Sequence, residues 1–344
     1  MSKVITFIIP AYNMEFCLER CLDSFICTSI LDQIEVIVIN DGSKDGTGQI
    51  AERYVQNYPK SFRVIHKKNG GHGSAINVGS RNAQGKYFKV IDADDWVITK
   101  NLTEFVTVLE SSSADVILTP FDMIDMTTGE CVEKRINIKG EKQRFTLSEI
   151  MADMQRFESC IVFHGITYRT DFYQKSQYML LEHVFYEDQE YSAIPFCNAE
   201  SIEIYPICIY QYMVGNAQQS IAFANQAKRI GHLEKVIKSL TEYYYNSITC
   251  TAIGKEYLTY KIEAIVLIYY ATACIYEQEK KKGRKLAKIM NDKLAEFLPN
   301  IHERTKKKYW MYLTMNRLHV TPDLYQKMIQ SQAYHRLKFY YKKR

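Results

Sequence analysis

Short apolar runs alternate with amphipathic segments in the first half of the sequence, and this rhythm constrains the fold most strongly. Four apolar runs are short enough to be buried strands: residues 4–9, 34–39, 62–66 and 86–91. Helical spacing of apolar residues occupies the intervals between them, at about 14–25, 45–58 and 75–83. The alternation predicts an α/β fold, with a mostly parallel central sheet and helices on both of its faces.

The second half of the sequence follows a different pattern. From about residue 216 the strand rhythm stops, and residues 225–245, 255–284 and 285–297 are expected to form helices. We therefore predict two domains, an α/β domain over residues 1–215 and a helical, basic C-terminal region over 216–344. The longest apolar stretch without charge lies between Glu263 and Glu277. It is too short to cross a bilayer and predicts a buried helix.

Charge is divided unevenly between the two halves. Residues 216–344 contain 24 Lys and Arg but 10 Asp and Glu, a net charge of +14, whereas the first 215 residues carry a net charge of −9. The chain ends in a segment that mixes cations with aromatic residues, 334–344. This composition suits peripheral contact with an anionic lipid surface, and a solvated basic tail is the alternative. No nucleic-acid-binding signature accompanies it, so no nucleic-acid partner is expected.

Cysteine usage and the start of the chain bear on localisation. The nine cysteines are an odd number and are scattered, which indicates reduced thiols in place of disulfides or a zinc site. The first residues run directly into a strand pattern without a signal peptide. A cytoplasmic protein is expected, in which the basic tail provides a peripheral contact with the inner face of the membrane.

Three carboxylates crowd into four positions directly after the fourth predicted strand. Asp92, Asp94 and Asp95 would lie at the carboxyl edge of the sheet, where open α/β sheets bind ligands. Carboxylates there suit a divalent ion, Mg²⁺ or Mn²⁺, that keeps positions open for phosphate oxygens. The alternative is a solvated acidic turn that caps the next helix.

Glycine patterns exclude two common modes of nucleotide binding. The turn after the first predicted strand, residues 10–13, contains no glycine, which argues against a dinucleotide-binding dehydrogenase. A phosphate loop ending in Gly-Lys-Ser or Gly-Lys-Thr is also absent. The nucleotide phosphates would then be bound through a metal ion that bridges a carboxylate and the diphosphate. Asp41, after the second predicted strand, is suited to accept a hydrogen bond from a base N–H or to cap a turn.

Three segments together resemble a known family. Residues 7–13, 38–47 and 91–96 are similar, in order and spacing, to the signature segments of family 2 glycosyltransferases, and the resemblance covers roughly residues 3–215. It implies the GT-A fold, a nucleotide-sugar donor, a divalent metal and inversion at the anomeric carbon.

The resemblance also implies roles for individual residues. The positions that would line the nucleoside pocket are Pro10, Ala11, Tyr12 and Asp41. Asp92 and Asp94 match the pair that contacts ribose, metal and pyrophosphate, with Asp94 assigned mainly to the metal and Asp92 to the nucleoside side. Glu15 matches an acidic position near the pocket, although it would equally favour a helix N-terminus electrostatically.

A further segment, residues 184–190, resembles the Glu-Asp motif of the family, in which the position of Asp188 is the catalytic base. An acceptor hydroxyl is a weak nucleophile, and a carboxylate within hydrogen-bonding reach can take its proton as the new bond forms. An exposed acidic helical face is the alternative interpretation of Glu187, Asp188 and Glu190.

The chain departs from the family pattern at some positions. Many relatives carry an arginine shortly after the glycine-rich loop. Here His72, Lys67 or Lys68 would replace it as the cation for the pyrophosphate. His72 is the better candidate, because it lies between two glycines where the backbone can approach a ligand, whereas the lysines are expected to be solvated.

Other positions keep two interpretations each. The polar residues 218–220 would close over the donor or form a plain linker. His164 is suited to acceptor contact or to the core. Trp96 is suited to stacking on a sugar ring or to the core.

The predicted function is transfer of a sugar, of hexose type, from a nucleoside diphosphate to a hydroxyl group. UDP is favoured over GDP, and the acceptor would be a glycan or a polyprenyl-linked glycan in the synthesis of bacterial surface polysaccharide. Two alternatives share this layout: a catalytically silent nucleotide-binding scaffold and a nucleotidyltransferase. The second would be expected to show a glycine- and lysine-rich loop after the first strand, which residues 10–13 do not supply.

Overall fold

The structure, a computed structural model, describes residues 3–136, 143–215 and 223–330. The chain forms two compact units, residues 1–216 with 246–258 and residues 217–245 with 259–344. The predicted domains, 1–215 and 216–344, stay a prediction, and the structure adds that a short segment from the second half packs with the first unit. The tail at 334–344 and the polar residues 218–220 lie outside the described residues.

An eight-stranded mixed sheet forms the centre of the first unit, in the order β3-β2-β1-β4-β10-β6-β11-β9. The four strands nearest the N-terminus are parallel to one another, whereas β10 is antiparallel to both of its neighbours. The strands of this sheet are β1 (Ile5–Ala11), β2 (Ile34–Asn40), β3 (Phe62–His66), β4 (Tyr87–Val90), β6 (Val116–Leu118), β9 (Arg144–Phe145), β10 (Ile166–Arg169) and β11 (Ile202–Ile204). The mostly parallel sheet predicted from the apolar runs is confirmed.

A second, four-stranded sheet has the order β5-β12-β7-β8. Its strands are β5 (Trp96–Val97), β7 (Phe121–Asp125), β8 (Cys131–Lys134) and β12 (Tyr210–Val214). Strand β5 comes directly after the acidic run, and Trp96 lies opposite Gln211 of β12. This pairing brings β12 next to the three carboxylates, more than a hundred residues away in sequence.

The helices of the first unit lie between its strands along the chain. They are α1 (Leu18–Asp23), α2 (Thr47–Asn57), α3 (His72–Asn82), α4 (Leu102–Ser111), α5 (Leu147–Ala152), α6 (Met154–Phe157), α7 (Thr170–Lys175) and α8 (Glu187–Ala193). Every residue of β1 and β2 is buried, as expected for strands that are covered on both faces. Side chains from both strands join residues of α1, α2 and α4 in one hydrophobic core.

Two boundaries differ from the sequence prediction near the edge where the carboxylates lie. Strand β1 continues through Pro10, which pairs with Ile39, and ends at Ala11 instead of at residue 9. Helix α3 begins at His72, three residues earlier than predicted, so His72 and Gly73 lie in its first turn and not in a loop. The Gly71 backbone supports this early start, because φ is +88° at that position, a conformation that glycine adopts readily.

The C-terminal half is helical, as predicted. Its helices are α9 (Phe223–Lys228), α10 (Ile230–Asn246), α11 (Ala252–Ala271), α12 (Lys280–Phe297), α13 (Pro299–Arg317) and α14 (Pro322–Gln330). Helix α11 continues as a π-helix over Thr272–Tyr276. The resulting helix, Ala252–Tyr276, begins well before the apolar stretch between Glu263 and Glu277 that predicted a buried helix, and within the described ranges it alone is long and apolar enough to cross a membrane. Because 67% of its apolar window is buried inside the structure, it has the character of a core helix.

Candidate active site

The candidate site lies where β1, β2 and β4 end. These strands are parallel and in register, with Ala11 opposite Asn40 and Ile8 opposite Val90. The residues that follow them therefore emerge at one edge of the sheet, and they include Tyr12, Asp41 and the acidic run. This is the edge at which ligands bind in open α/β sheets.

Asp41 is buried and anchors the glycine-rich loop. Its carboxylate accepts hydrogen bonds from Lys67 Nζ at 2.6 Å and from the backbone N–H groups of Gly70 at 2.9 Å and Gly71 at 2.8 Å. An ionised carboxylate offers about four acceptor positions, so these contacts leave room for one more donor. The predicted hydrogen bond from a nucleobase to Asp41 stays a prediction, and the structure adds a role for Asp41 in shaping the loop.

The other residues predicted for the nucleoside pocket flank this edge. Pro10 and Ala11 are buried within β1, whereas Tyr12 is 44% exposed. Glu15 accepts a hydrogen bond from the backbone N–H of Gly46 at 2.7 Å, at the residue that precedes helix α2. The alternative role of Glu15, at a helix N-terminus, is thus met at the start of α2, through a hydrogen bond from a residue 31 positions away in sequence.

The acidic run splits into side chains with different surroundings. Asp95 is fully buried and accepts hydrogen bonds from Tyr210 Oη at 2.6 Å and from the Met213 N–H at 2.7 Å. Burial and the neighbouring Asp92 raise the pKa of Asp95 well above its usual range. Burial and Asp92 also raise the pKa of Asp94 to about 6. Such crowding of carboxylates in a buried setting is costly without a compensating cation.

His72 bridges two of the carboxylates. Its Nε2 lies 2.8 Å from Asp92 Oδ1, and its Nδ1 lies 2.6 Å from Glu187 Oε1. Burial opposes a charge on the ring, but the two carboxylates outweigh it and raise the pKa of His72 well above its usual value. Burial likewise opposes the charge of Asp92, yet His72 holds the pKa of that carboxyl below its usual range. Both ring nitrogens of His72, predicted to meet the pyrophosphate, already have protein partners.

Asp188 lies in the first turn of α8, next to Glu187, and is half-buried. Gln189 donates a hydrogen bond to its carboxylate at 2.9 Å. Burial raises the pKa of Tyr212 above its usual range, and the charges of Asp95, Asp92, Asp94 and Asp188 raise it further. The phenol of Tyr212 in β12 thus lies close enough to the acidic run and to the predicted base to interact electrostatically with both. The two motifs therefore lie in one region of the molecule.

His164 lies in the 3₁₀-helix Phe163–Gly165 and contacts mainly aromatic rings. Its ring stacks on Tyr212 with centroids 4.1 Å apart and meets Tyr210 edge-on at 4.9 Å. The fully buried Lys89 fixes the backbone of the same residue by donating to its carbonyl oxygen at 2.7 Å. Burial lowers the pKa of His164 to about 4, so the ring is neutral at pH 7.

Asp92, Asp95 and His164 form a group that could hold a metal ion. Each offers one ligand atom, and the three atoms lie within 4.8 Å of one another. Carboxylate oxygens with a neutral imidazole are a reasonable donor set for a divalent ion such as Mn²⁺. The structure thus groups Asp92 with Asp95, whose role the sequence left uncertain, and with His164, which the sequence did not assign to the metal. The assignment of Asp94 stays a prediction.

Trp96 and Arg20 form a second pair beside the acidic run. The guanidinium of Arg20 lies 4.1 Å from the centroid of the Trp96 ring and donates to the carbonyl oxygen of Asp94 at 2.6 Å. One face of the indole is thereby covered by a cation, which limits the predicted stacking on a sugar ring to the other face. The sequence offered no signal for Arg20, because its partners are more than seventy residues away.

Comparisons with known proteins identify the family. The family model described as glycosyl transferase family 2 matches residues 6–176. The uncharacterized glycosyltransferase EpsJ of Bacillus subtilis is 24% identical over 83% of this chain and 82% of its own length. The chain belongs to glycosyltransferase family 2 and is a transferase.

Solved structures establish the fold. Residues 1–349 of S. aureus TarS in complex with UDP-GlcNAc align with a TM-score of 0.53 at 16% identity, over 92% of each chain. The mannosyltransferase PcManGT from Pyrobaculum calidifontis, in complex with GDP-Man and Mn²⁺, aligns with a TM-score of 0.53 at 15% identity, over 96% of this chain and 88% of that one. The GT-A fold predicted from the three motifs is confirmed.

Proposed function

We propose that this protein is an inverting, metal-dependent glycosyltransferase that moves a sugar from a UDP-sugar to a hydroxyl group. The acceptor would be a glycan or a polyprenyl-linked glycan in the synthesis of bacterial surface polysaccharide. One observation carries the proposal: the acidic run at the carboxyl edge of the sheet and the Glu187–Asp188 pair of α8 are joined through a single side chain, His72. Family membership makes transfer the reaction class.

In the proposed reaction the acceptor oxygen attacks the anomeric carbon from the face opposite the diphosphate. The new carbon–oxygen bond forms while the bond from the anomeric carbon to the phosphate oxygen breaks, so configuration inverts. The carboxylate of Asp188 takes the proton of the acceptor hydroxyl. No covalent intermediate with the protein is required.

A divalent cation would bring positive charge that stabilises the departing diphosphate. Asp92, Asp95 and His164 would hold it, and Asp94 remains a candidate ligand at the same edge. The nucleotide sugars bound in the structural neighbours, UDP-GlcNAc and GDP-Man, support a nucleoside diphosphate donor. The Mn²⁺ bound in the mannosyltransferase PcManGT supports the choice of metal.

The proposal is tested by incubating the full chain with a panel of UDP- and GDP-sugars and Mn²⁺, while released nucleoside diphosphate is measured. Turnover of a UDP-sugar is expected. Asp188→Asn should lower kcat by about 10²- to 10⁴-fold, the usual contribution of a general base. UDP binding, followed by thermal shift, should stay near normal.

Asp32→Asn is the matched control, because Asp32 is an exposed carboxylate at the opposite edge of the sheet, just before β2. Its activity should equal that of the unaltered chain. Full activity in Asp188→Asn would show that the base lies elsewhere, and lost UDP binding would place Asp188 on the donor. Release of pyrophosphate from UTP and a sugar phosphate would assign a nucleotidyltransferase instead.

A further inference from the structure

Residues at the start of α3 are bound along the segment that leads into α8. Asn77 exchanges two side-chain hydrogen bonds with the backbone of Leu180, each 2.9 Å long. Ser74 Oγ donates to Glu182 Oε1 at 2.9 Å, and the carbonyl oxygen of Gly70 accepts from the His183 N–H at 2.8 Å. The two chain segments are therefore fixed to each other over two helical turns.

Glycines allow this close approach. A Cβ atom at Gly73 would lie 2.5 Å from the carbonyl oxygen of Leu181, and at Gly71 it would lie 3.0 Å from the backbone nitrogen of His183. Any side chain at Gly73 would push the two segments apart. The contact thus involves the backbone of both segments. It fixes the residues that precede α8 relative to helix α3.

His72 adds a two-sided hydrogen-bonded contact at the end of this interface. It is the residue whose ring reaches both Asp92, in the acidic run, and Glu187, the first residue of α8. The Glu187 side chain is 7% exposed, so its hydrogen bond to His72 is shielded from competing water, whereas Asp92 is 28% exposed. A charge-assisted bond in such a setting is directional as well as strong.

We propose that His72 is a positioning residue. It couples Asp92, the carboxylate on the side of the nucleotide-sugar donor, to the helix that carries Asp188. Its Nε2 side sets the orientation of Asp92 toward the donor, and its Nδ1 side sets α8 through Glu187. Asp188 is the next residue along that helix, so a change in the His72–Glu187 contact moves the base relative to the acceptor. This inference rests on the proposed function.

The two halves of the contact can be separated by side chains that imitate one ring nitrogen each. In His72→Asn the amide nitrogen takes the place of Nδ1, so the bond to Glu187 is kept and the bond to Asp92 is lost. In His72→Gln the amide nitrogen takes the place of Nε2, so the reverse holds. His72→Asn should raise KM for the donor with kcat nearly unchanged, whereas His72→Gln should lower kcat by tenfold to about a hundredfold with KM nearly unchanged.

Glu187→Gln tests the partner side. If the base is set through the His72–Glu187 bond, the double variant His72→Gln with Glu187→Gln should lose no more kcat than the worse single variant. Ser74→Ala is the matched control, since it removes a hydrogen bond from the same interface without touching Asp92 or Glu187. This variant should not change kcat or KM selectively. Equal loss of kcat in His72→Asn and His72→Gln would overturn the proposal.

A readout without turnover separates this inference from the proposed function. Hydrogen exchange of residues 187–193, measured on the full chain, should rise in His72→Gln and stay near normal in His72→Asn. If the unaltered chain turns over none of the sugar nucleotides in the panel, the proposed function fails, yet this exchange pattern still tests the coupling. Unchanged exchange in His72→Gln would overturn the coupling even in an active enzyme.

Discussion

Aromatic rings from several elements surround the imidazole of His164. Besides Tyr212 and Tyr210, the rings of Phe121 and Phe163 lie 5.2 and 5.5 Å from it. A neutral ring fixed in this way beside Asp92 and Asp95 keeps a nitrogen lone pair available to a cation. Such a nitrogen favours a transition-metal ion over Mg²⁺, which takes oxygen ligands.

This environment predicts the effect of removing the nitrogen while keeping the ring. In the presence of UDP, His164→Phe should weaken Mn²⁺ binding at least tenfold, since even indirect changes around metal ligands cost that much. Mg²⁺ binding should change less. Titration of free Mn²⁺ by electron paramagnetic resonance, with Mg²⁺ as competitor, measures both affinities. His302→Gln, in the second unit, is the control, and an equal loss for both ions would contradict nitrogen ligation.

Part of the candidate site could be predicted from local sequence. Asp92 and Asp94 could be predicted because a short motif after a strand places them at the sheet edge, and Asp188 because a second motif resembles the family. The inward position of Asp95 could not, since it depends on Tyr210, 115 residues away. The roles of His164 and Tyr212 arise from the same long-range packing of β12. No spacing rule connects such residues, so only the folded chain reveals them.

At the scale of elements, strands were easier to predict than helix ends. Strands β1, β2 and β4 are buried at every position, and apolar residues dominate their composition, so their burial could be predicted directly. The predicted break between helices at 284 and 285 was wrong: the chain turns at 277–279, between the π-helix and α12. Gly283, inside α12, lies where the two helices cross closely, because a Cβ there would lie only 2.0 Å from the carbonyl oxygen of Ala273.

The segment 246–258 shows a similar close approach inside the first unit. A Cβ at Gly254 would lie 2.3 Å from the carbonyl oxygen of Cys197, and Tyr257 donates a buried hydrogen bond to the carbonyl oxygen of Ser192 at 2.7 Å. These contacts hold the start of α11 against the end of α8 and the residues that follow it. The segment therefore supports the helix that carries Asp188, although it comes from the predicted C-terminal region.

Gly254→Ala should destabilise the first unit by about 1–3 kcal/mol, because the new methyl group meets backbone that cannot move aside easily. The two tryptophans allow a specific measurement, since Trp96 lies in the first unit and Trp310 in the second. Urea unfolding followed by Trp96 fluorescence in a Trp310→Phe background should show a lower midpoint. Gly231→Ala, at a helical glycine with open space around its Cα, should instead be neutral or stabilise by up to about 1 kcal/mol. Equal midpoints for the two variants would contradict the close contact.

Across the whole molecule, the two halves of the chain carry opposite net charges. The acidic half carries the carboxylates of the candidate site, whose crowding calls for a bound cation. The basic half carries an excess of lysine and arginine that no metal site requires. Its last fourteen residues contain five Lys or Arg and no Asp or Glu, together with four aromatic residues. We propose that this tail attaches the enzyme to the inner face of the membrane, where polyprenyl-linked acceptors would be reached.

Sedimentation with lipid vesicles tests the attachment on the full chain and on a chain that ends at residue 330. Each Lys or Arg near an anionic surface contributes about 1 kcal/mol, so loss of the tail should lower binding to phosphatidylserine-containing vesicles many-fold. Higher salt should weaken the binding of the full chain, since screening shortens the reach of the charges. Neutral phosphatidylcholine vesicles serve as the control for lipid, and donor turnover as the control for folding, because both chains retain the candidate site. Equal binding of the two chains to anionic vesicles would contradict the proposed role of the tail and leave the helices of the second unit as the next surface to examine.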